Sequence, residues 1–284
     1  MENIDLDYLK ERLRQALDED LDGGDVTAGS VVQYDHHARA RILAKQEGVV
    51  AGTTVAELAF QQPGPPLEVR LPVRDGERVA AGTVLMQLEG SGRTILQVER
   101  TALNLLGRLS GIASLTRRYA DAVDGTGVRI LDTRKTTPLW RDLEKYAVRV
   151  GGGTNHRMGL YDMVLIKENH IVWAGGMESA LRHATDLIRT QSPGMQIEVE
   201  VQSPEELQTV LGFDVNRVLL DNMSPDEVTR AVELAGHQVD LEVSGGITLE
   251  NIRRYAETGV DYISVGALTH SVPAFDLTLL FDQE

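Results

Sequence analysis

The sequence predicts an α/β protein: a small N-terminal α+β sandwich domain followed by an open, incomplete (β/α) barrel of about six parallel strands. Three observations carry that expectation. Short apolar runs recur after residue 128, each separated from the next by a helix-sized amphipathic segment, which is the pattern of a parallel sheet. The first hundred residues lack this alternation and read instead as one helix and several hairpin-connected strands. A length of 284 residues favours one large domain with a smaller companion over a single core.

Taken in order, Leu6, Leu9, Leu13 and Leu17 fall on one helical face, and the Asp-Gly-Gly-Asp turn at 22–25 ends that helix. Strands are expected at 38–44, 67–73 and 83–88, with Asp75-Gly76 and Ala81-Gly82 as turns between the later ones. The segment 49–60 is ambiguous, with 56–60 helical. The turn-rich stretch 75–82 has the look of a lipoyl-type turn, but it lacks a central modifiable Lys and is read as plain hairpin architecture. A long helix is expected over 98–123, beginning at Glu99-Arg100. Barrel strands follow at 128–131, 163–166, 197–201, 217–220, 239–243 and 262–265. Six strands leave a gap that the N-terminal domain or a partner subunit must cover. The domain division drawn from this is 1–108, 109–272, and a tail, 273–284, that returns to the N-terminal domain.

Composition narrows function. The chain carries no cysteine, so disulfides, thiolate nucleophiles and Cys-ligated metal sites are excluded. No apolar run reaches the roughly 18 residues that span a bilayer, and the opening residues lack the pattern of a secretory signal; a cytoplasmic protein is expected. The net charge is −15, yet residues 100–170 hold twelve Lys/Arg against seven Asp/Glu, a local +5 against −20 elsewhere. An acidic exterior disfavours nucleic acid and anionic membrane as partners, while a local basic cluster around Gly-rich turns suits a small anion.

In a (β/α) barrel the C-terminal strand ends converge on one mouth. Here the first strand is followed by Asp132, Thr133, Arg134 and Lys135, and the second by Lys167, Glu168, Asn169 and His170. The third alternates Glu198 and Glu200 with valines, placing both carboxylates on one face. The fourth ends in Asp221-Asn222, the fifth in Ser244-Gly245-Gly246, the sixth in Gly266-Ala267. Arg134, Lys135, His156, Arg157 and Lys167 are donors for carboxylate or phosphate; each alone reads equally as a surface charge. Glu200 and Asp221 can hold sugar hydroxyls, ligate Mg²⁺ or stabilise a cationic transition state, the structural alternative being an ion pair with Lys135 or Lys167. Ser244-Gly-Gly-Ile-Thr248, opening the next helix, is read with Gly266 as a backbone phosphate cradle. His36-His37 reads as an exposed loop pair, His183 and His237 as surface, and residues 147–153 lack the Lys-Ser/Thr of a P-loop.

The segments Glu99-Arg-Thr-Ala-Leu-Asn104, Asp132-Thr-Arg-Lys-Thr-Thr-Pro138, Glu144-Lys-Tyr-Ala-Val148, Leu165-Ile-Lys-Glu-Asn-His170, Glu198-Val-Glu200 and Leu219-Leu-Asp-Asn-Met-Ser-Pro225, together with the stretches 151–161 and 244–271, closely resemble the quinolinate phosphoribosyltransferase family. So does the opening 19–27, and the likeness covers nearly the whole chain in order. The resemblance implies conversion of quinolinate and phosphoribosyl pyrophosphate to nicotinate mononucleotide, pyrophosphate and CO₂ with Mg²⁺. It also implies a homo-oligomer, a dimer at least, whose active site is completed by a second subunit. Carried over by position, Arg134, His156, Arg157 and Lys167, with Thr133 beside them, surround the quinolinate carboxylates, and Arg100 reaches in from the partner. Lys135, Glu200 and Asp221 engage the ribose, pyrophosphate and Mg²⁺, with Glu200 and Asp221 binding the metal directly or through water; Ser244, Gly245, Gly246, Gly266 and Ala267 hold the 5′-phosphate.

Leu139-Trp140 stands where the family more often has Gly-Leu, and Val150 where Cys is frequent. Two other readings compete: a related phosphoribosyltransferase with a different acceptor, which predicts altered acceptor cations, and a non-catalytic anion-binding protein, which predicts a broken acidic pair.

Overall fold

The computed structural model describes residues 4–31 and 37–282, and the chain folds as two compact units. Unit 1 comprises the described residues of 1–115, 142–152 and 271–284; unit 2 comprises 116–141 and 153–270. In chain order the first elements are α1 (Leu6–Leu21), α2 (Val26–Val31), β1 (His37–Ala44), β2 (Gly48–Val49), α3 (Thr53–Phe60), β3 (Glu68–Arg70), β4 (Arg78–Val79), β5 (Val84–Ser91) and α4 (Gly92–Ala122). Then come β6 (Arg129–Leu131), α5 (Arg141–Val150), β7 (Val164–Ile166), α6 (Glu168–Ala174), α7 (Met177–Gln191), β8 (Ile197–Val201) and α8 (Pro204–Val210). The chain closes with β9 (Arg217–Asp221), α9 (Pro225–Ala235), β10 (Asp240–Ser244), α10 (Ile252–Ala256), β11 (Tyr262–Ser264), α11 (Ala267–His270) and β12 (Leu277–Phe281).

In unit 1, α1 starts where the Asp5 carboxylate accepts the amides of Asp7 and Tyr8, satisfying two of the N–H groups a helix start leaves open. It buries Leu9, Leu13 and Leu17 on its inner face. An antiparallel sheet in the order β12-β1-β5-β3 forms the core layer, and the tail strand β12 pairs with β1 from Ala40–Phe281 to Ala44–Leu277. Along β1, Ala40, Ile42 and Ala44 are buried while Arg39 and Arg41 are not, the period-two pattern of a sheet with one covered face. Helix α5 packs within this unit: Arg12 forks onto Asp142 at 2.8 and 2.6 Å, and the Tyr146 hydroxyl donates to Asp75 at 2.7 Å. Asp75 in turn accepts the Gly52 and Thr53 amides at the start of α3.

Four sequence expectations change here. The strand expected over 67–73 shrinks to β3, because Pro72 has no amide to donate to a ladder. The long helix begins at Gly92, six residues before its expected start, directly after β5, with Ser91 Oγ accepting the Thr94 amide; Glu99 and Arg100 therefore lie inside α4 rather than at its start. His37 begins β1 beside Glu89 instead of lying in a loop, and His36 is outside the described residues. Helix α3 starts at Thr53, three residues before the helical part expected, where Asp75 supplies the cap.

Unit 2 holds a six-stranded, wholly parallel sheet in the order β6-β11-β10-β9-β8-β7. That order is a ring cut once, between β6 and β7: an open barrel whose strands match the six expected from sequence. On the free side of β6, Thr154 forms an isolated parallel bridge with Leu131, so the segment after α5 covers part of the cut. Among the described residues no helix is long and apolar enough to cross a membrane.

Candidate active site

The parallel register determines what enters the barrel. Asp221 pairs with Ser244, Leu219 with both Glu200 and Glu242, Arg217 with Glu198, and Glu242 with Tyr262. Alternate residues therefore form stacked layers, with Val199, Val218, Leu220 and Val243 on the opposite, helix-covered face. Above these layers opens a cavity of about 870 Å³ in unit 2. Of the residues expected at the mouth, Thr133, Arg134, Lys135, His156, Arg157, Lys167, Glu200, Asp221, Ser244, Gly245, Gly246, Gly266 and Ala267 all line it. Arg100 is exposed on α4 in unit 1 and is not among the lining residues.

The cationic wall is held from behind. Buried Asp132 accepts Nδ2 of Asn155 at 2.5 Å and the amide of His156 at 2.9 Å, fixing the segment that carries His156 and Arg157. Arg157 reaches back to the Met163 carbonyl at 3.1 Å, and burial followed by the charge of Arg134 lowers its pKa. Arg141 joins the two loops by donating to Thr136 Oγ1 at 2.9 Å and the Met158 carbonyl at 3.0 Å. The turn 133–135 is closed by the Lys135 amide on Thr133 Oγ1 and tied to α11 by Thr269 Oγ1 on the Lys135 carbonyl. Leu139, at φ 67°, is a branched side chain in the left-handed region, while its side chain is exposed.

On the acidic side Lys167 Nζ is bonded to Glu200 Oε2, so the ion pair weighed as the structural alternative forms inside the mouth. Burial, then the charge of Glu200, raises the Asp221 pKa above the usual carboxylate value. Asn222, itself at φ 56°, donates Nδ2 to Asp221 at 2.7 Å. Gly245 at φ 97° and Gly246 at φ 62° turn the chain beside it, and a Cβ on Gly245 would overlap the Asn222 amide. Helix α10 begins only at Ile252, so Ser244–Thr248 is not the opening of a helix as expected. Instead the turn is braced by its own side chain: Asn251 accepts the Thr248 amide at 2.8 Å and donates to the Gly246 carbonyl at 2.9 Å. A Cβ on Gly266 would meet His270 at 3.1 Å and Lys135 Cδ at 3.3 Å, so glycine is what lets those side chains sit over the backbone.

Beneath the mouth lies a charged floor. Glu198 and Glu242 are fully buried. His156 Nε2 stands 3.0 Å from Glu198 and 3.6 Å from Glu242, and Arg217 donates to Glu242 at 3.0 Å. The Arg217 guanidinium lies 3.9 Å from the Tyr262 ring centre, with Arg129 at 4.4 Å from the same ring. Burial raises both carboxyls, and with the charge of Glu198 it pushes Glu242 up to about 7.

Two sets could hold a metal ion. His156, Glu198 and Glu242 bring ligand atoms within 4.8 Å of one another, but Arg217 already supplies the cation at Glu242. Glu200 and Asp221, lining the open mouth, offer oxygen ligands with room for water, as Mg²⁺ requires. Sequence reasoning missed Glu242, Ser264 and His270 as lining residues. The period-two count along β10 and β11 and the i, i+4 step from Gly266 were the signals for them.

The profile of the quinolinate phosphoribosyl transferase C-terminal domain matches residues 112–280, and that of the N-terminal domain matches residues 25–110. A tobacco (Nicotiana tabacum) protein named quinolinate phosphoribosyltransferase (decarboxylating) 2b, mitochondrial, is 41% identical over 97% of this chain and 83% of its own length. The probable nicotinate-nucleotide pyrophosphorylase (carboxylating) of Bacillus subtilis (strain 168) is 40% identical over 95% of this chain and 92% of its own. Among solved structures, the nicotinate-nucleotide pyrophosphorylase of Francisella tularensis superposes with a TM-score of 0.93 at 38% identity, over 99% of this chain and 98% of that one.

Proposed function

The chain belongs to the quinolinate phosphoribosyltransferase family, and from that premise we propose how its own residues carry the reaction. That reaction is transfer of the phosphoribosyl group from phosphoribosyl pyrophosphate to quinolinate with loss of CO₂, giving nicotinate mononucleotide and pyrophosphate for de novo NAD biosynthesis. The observation that carries the residue roles is the convergence of thirteen of the fourteen expected residues on one cavity.

In this reading Arg134 and Arg157 fork onto the quinolinate carboxylates, with Thr133, His156 and Lys167 beside them. Burial and then the charge of Arg134 lower the Arg157 pKa, a cost that a bound dianion relieves. The turn Ser244–Gly246 with Gly266 and Ala267 holds the 5′-phosphate through backbone amides. Lys135 neutralises the pyrophosphate. As that group departs, the ribose carbon gains oxocarbenium character, and the carboxylates of Glu200 and Asp221 stabilise it electrostatically. The positive ring nitrogen then stabilises the electron pair that departing CO₂ leaves on the adjacent ring carbon, and a proton from solvent fills that position. Positioning and electrostatics supply the acceleration, with no covalent intermediate on the protein.

Glu200 and Asp221 fit a magnesium ion, since burial and then the charge of Glu200 raise the cost of charge on Asp221 and an added cation relieves it. Glu200 and Asp221 would hold the metal, which would supply positive charge for the pyrophosphate. A cytoplasmic setting is part of the same proposal, in keeping with the acidic, cysteine-free composition; fractionating cells that carry the tagged chain tests it.

We also propose a homodimer in which Arg100 is donated to the partner's mouth. Exposed apolar residues support it: Leu139, Leu160, Tyr161, Val172 and Trp173, the last 91% exposed, lie in the segments beside the free edges of β6 and β7. Inactive Arg100→Ala subunits mixed with inactive Glu200→Gln subunits are expected to recover about one quarter of wild-type activity, the statistical share of intact sites in a two-fold dimer. No recovery after verified subunit exchange contradicts a shared site.

Gly245→Ala is expected to raise the KM for phosphoribosyl pyrophosphate at least about tenfold and that for quinolinate much less. The new methyl displaces Asn222 from Asp221 and strains a φ of 97°. Steady-state kinetics with each substrate varied decides it.

A further inference from the structure

We propose that Glu198 and Glu242 are positioning residues for the acceptor half of the mouth: they hold the His156 imidazole with Nε2 protonated and turned inward, and through that ring they set Arg157. The proposal rests on the acceptor roles given to His156 and Arg157 above.

The ring is bonded at Nδ1 and faces carboxylates at Nε2. Nδ1 accepts the backbone amide of Arg157 at 2.7 Å, so it must carry its lone pair, and the ring proton is left to Nε2. Nε2 faces Glu198 Oε2 at 3.0 Å and Glu242 Oε2 at 3.6 Å, inside a part of the barrel where the His156 side chain keeps only 7% of its exposure. The other tautomer would aim a bare Nε2 lone pair at two carboxylates, and a flipped ring would lose the Arg157 amide, so one tautomer and one orientation are enforced. Because the Nδ1 partner is the amide of the next residue, that orientation fixes the peptide from which Arg157 departs. Asp132 holds the other side of the same segment through the His156 amide, and Arg157 itself is anchored on the Met163 carbonyl.

The two carboxylates share the charge of Arg217. They sit on neighbouring layers of β8 and β10, and Arg217, on the strand between them, donates to Glu242. The Tyr262 ring against the Arg217 guanidinium limits where it can go. Glu198 and Glu242 thus act on the substrate through His156 and Arg157, as outer groups that orient a ligand-binding imidazole do.

The test begins with the unchanged protein. Long-range ¹H–¹⁵N spectra of protein labelled at histidine, with His156 assigned by its loss in His156→Gln, are expected to show a protonated Nε2 and an unprotonated Nδ1 at neutral pH. A protonated Nδ1 overturns the proposal without any variant at position 198. Glu198→Met, which keeps the volume and removes the acceptor, is expected to give mixed His156 tautomers. It should also raise the KM for quinolinate at least tenfold and leave that for phosphoribosyl pyrophosphate within about twofold. Glu198→Gln, which keeps an acceptor oxygen, should restore most of both. An unchanged His156 spectrum and KM in a folded Glu198→Met protein also overturn it. Because the spectra need no turnover, the positioning claim is decided even if the wild-type protein fails to use quinolinate, a result that would count only against the acceptor roles.

Discussion

Glu200→Gln combined with Asp221→Asn is expected to lower kcat by about 10³-fold or more while the protein stays folded. Both side chains line the mouth, and neither is needed to hold the barrel: Glu200 pairs with Lys167, which itself lines the cavity, and Asp221 accepts a neutral amide. What the pair contributes is negative charge placed beside the carbon that becomes cationic as pyrophosphate leaves. The amides match the carboxylates in size and keep hydrogen-bonding capacity, so the change removes charge and little else. Burial and the nearness of Glu200 raise the Asp221 pKa, a cost in the empty protein that a cationic transition state relieves. Quinolinate binding, measured by calorimetry, should survive within about tenfold, since Arg134 and Arg157 are untouched. Turnover near the wild-type rate in the double variant would overturn the roles given to both carboxylates.

Arg217→Met is expected to be the most destabilising single change, costing about 3–5 kcal/mol at pH 8, because it leaves two buried carboxylates facing each other without their cation. The loss depends on pH with a sign fixed by Glu242. Its folded pKa, about 7, lies above the ordinary value of 4.5, so the folded protein holds a proton that the unfolded chain releases in that window. The associated stability is fully present below pH 4.5 and is lost as pH rises through 7, on the order of 3 kcal/mol for this group. Without Arg217 the proton is held more tightly still, so the variant's deficit should shrink when the pH is lowered from 8 to 5.5. Both tryptophans, Trp140 and Trp173, lie in unit 2, so fluorescence-detected urea unfolding at the two pH values reports on the barrel. A deficit equal at both would contradict the account of the floor.

Much of this was legible from local pattern. The strand over 197–201 matched its expected bounds because β-branched alternation and flanking helical segments agree there. The mouth was legible because topology sends every strand end to one place, so residues such as Lys167 and Asp221 could be named without knowing any contact. Cooperation between distant residues was not legible. Glu198 was read as sharing a face with Glu200, yet its burial depends on Arg217, Glu242 and His156, which come together only when the sheet curls. Helix starts shifted where capping came from far along the chain, as at Thr53, whose partner is Asp75. The start of α10 was misread because a glycine turn can be braced by a side chain, Asn251, instead of by a helix.

The most direct measurement is product formation from quinolinate, phosphoribosyl pyrophosphate and Mg²⁺, run beside nicotinate as acceptor and followed by CO₂ release and mass spectrometry. Nicotinate mononucleotide with one CO₂ per turnover from quinolinate alone is the result expected of a mouth with two guanidiniums set for a dicarboxylate. Efficient use of nicotinate, or no product from quinolinate, would contradict it.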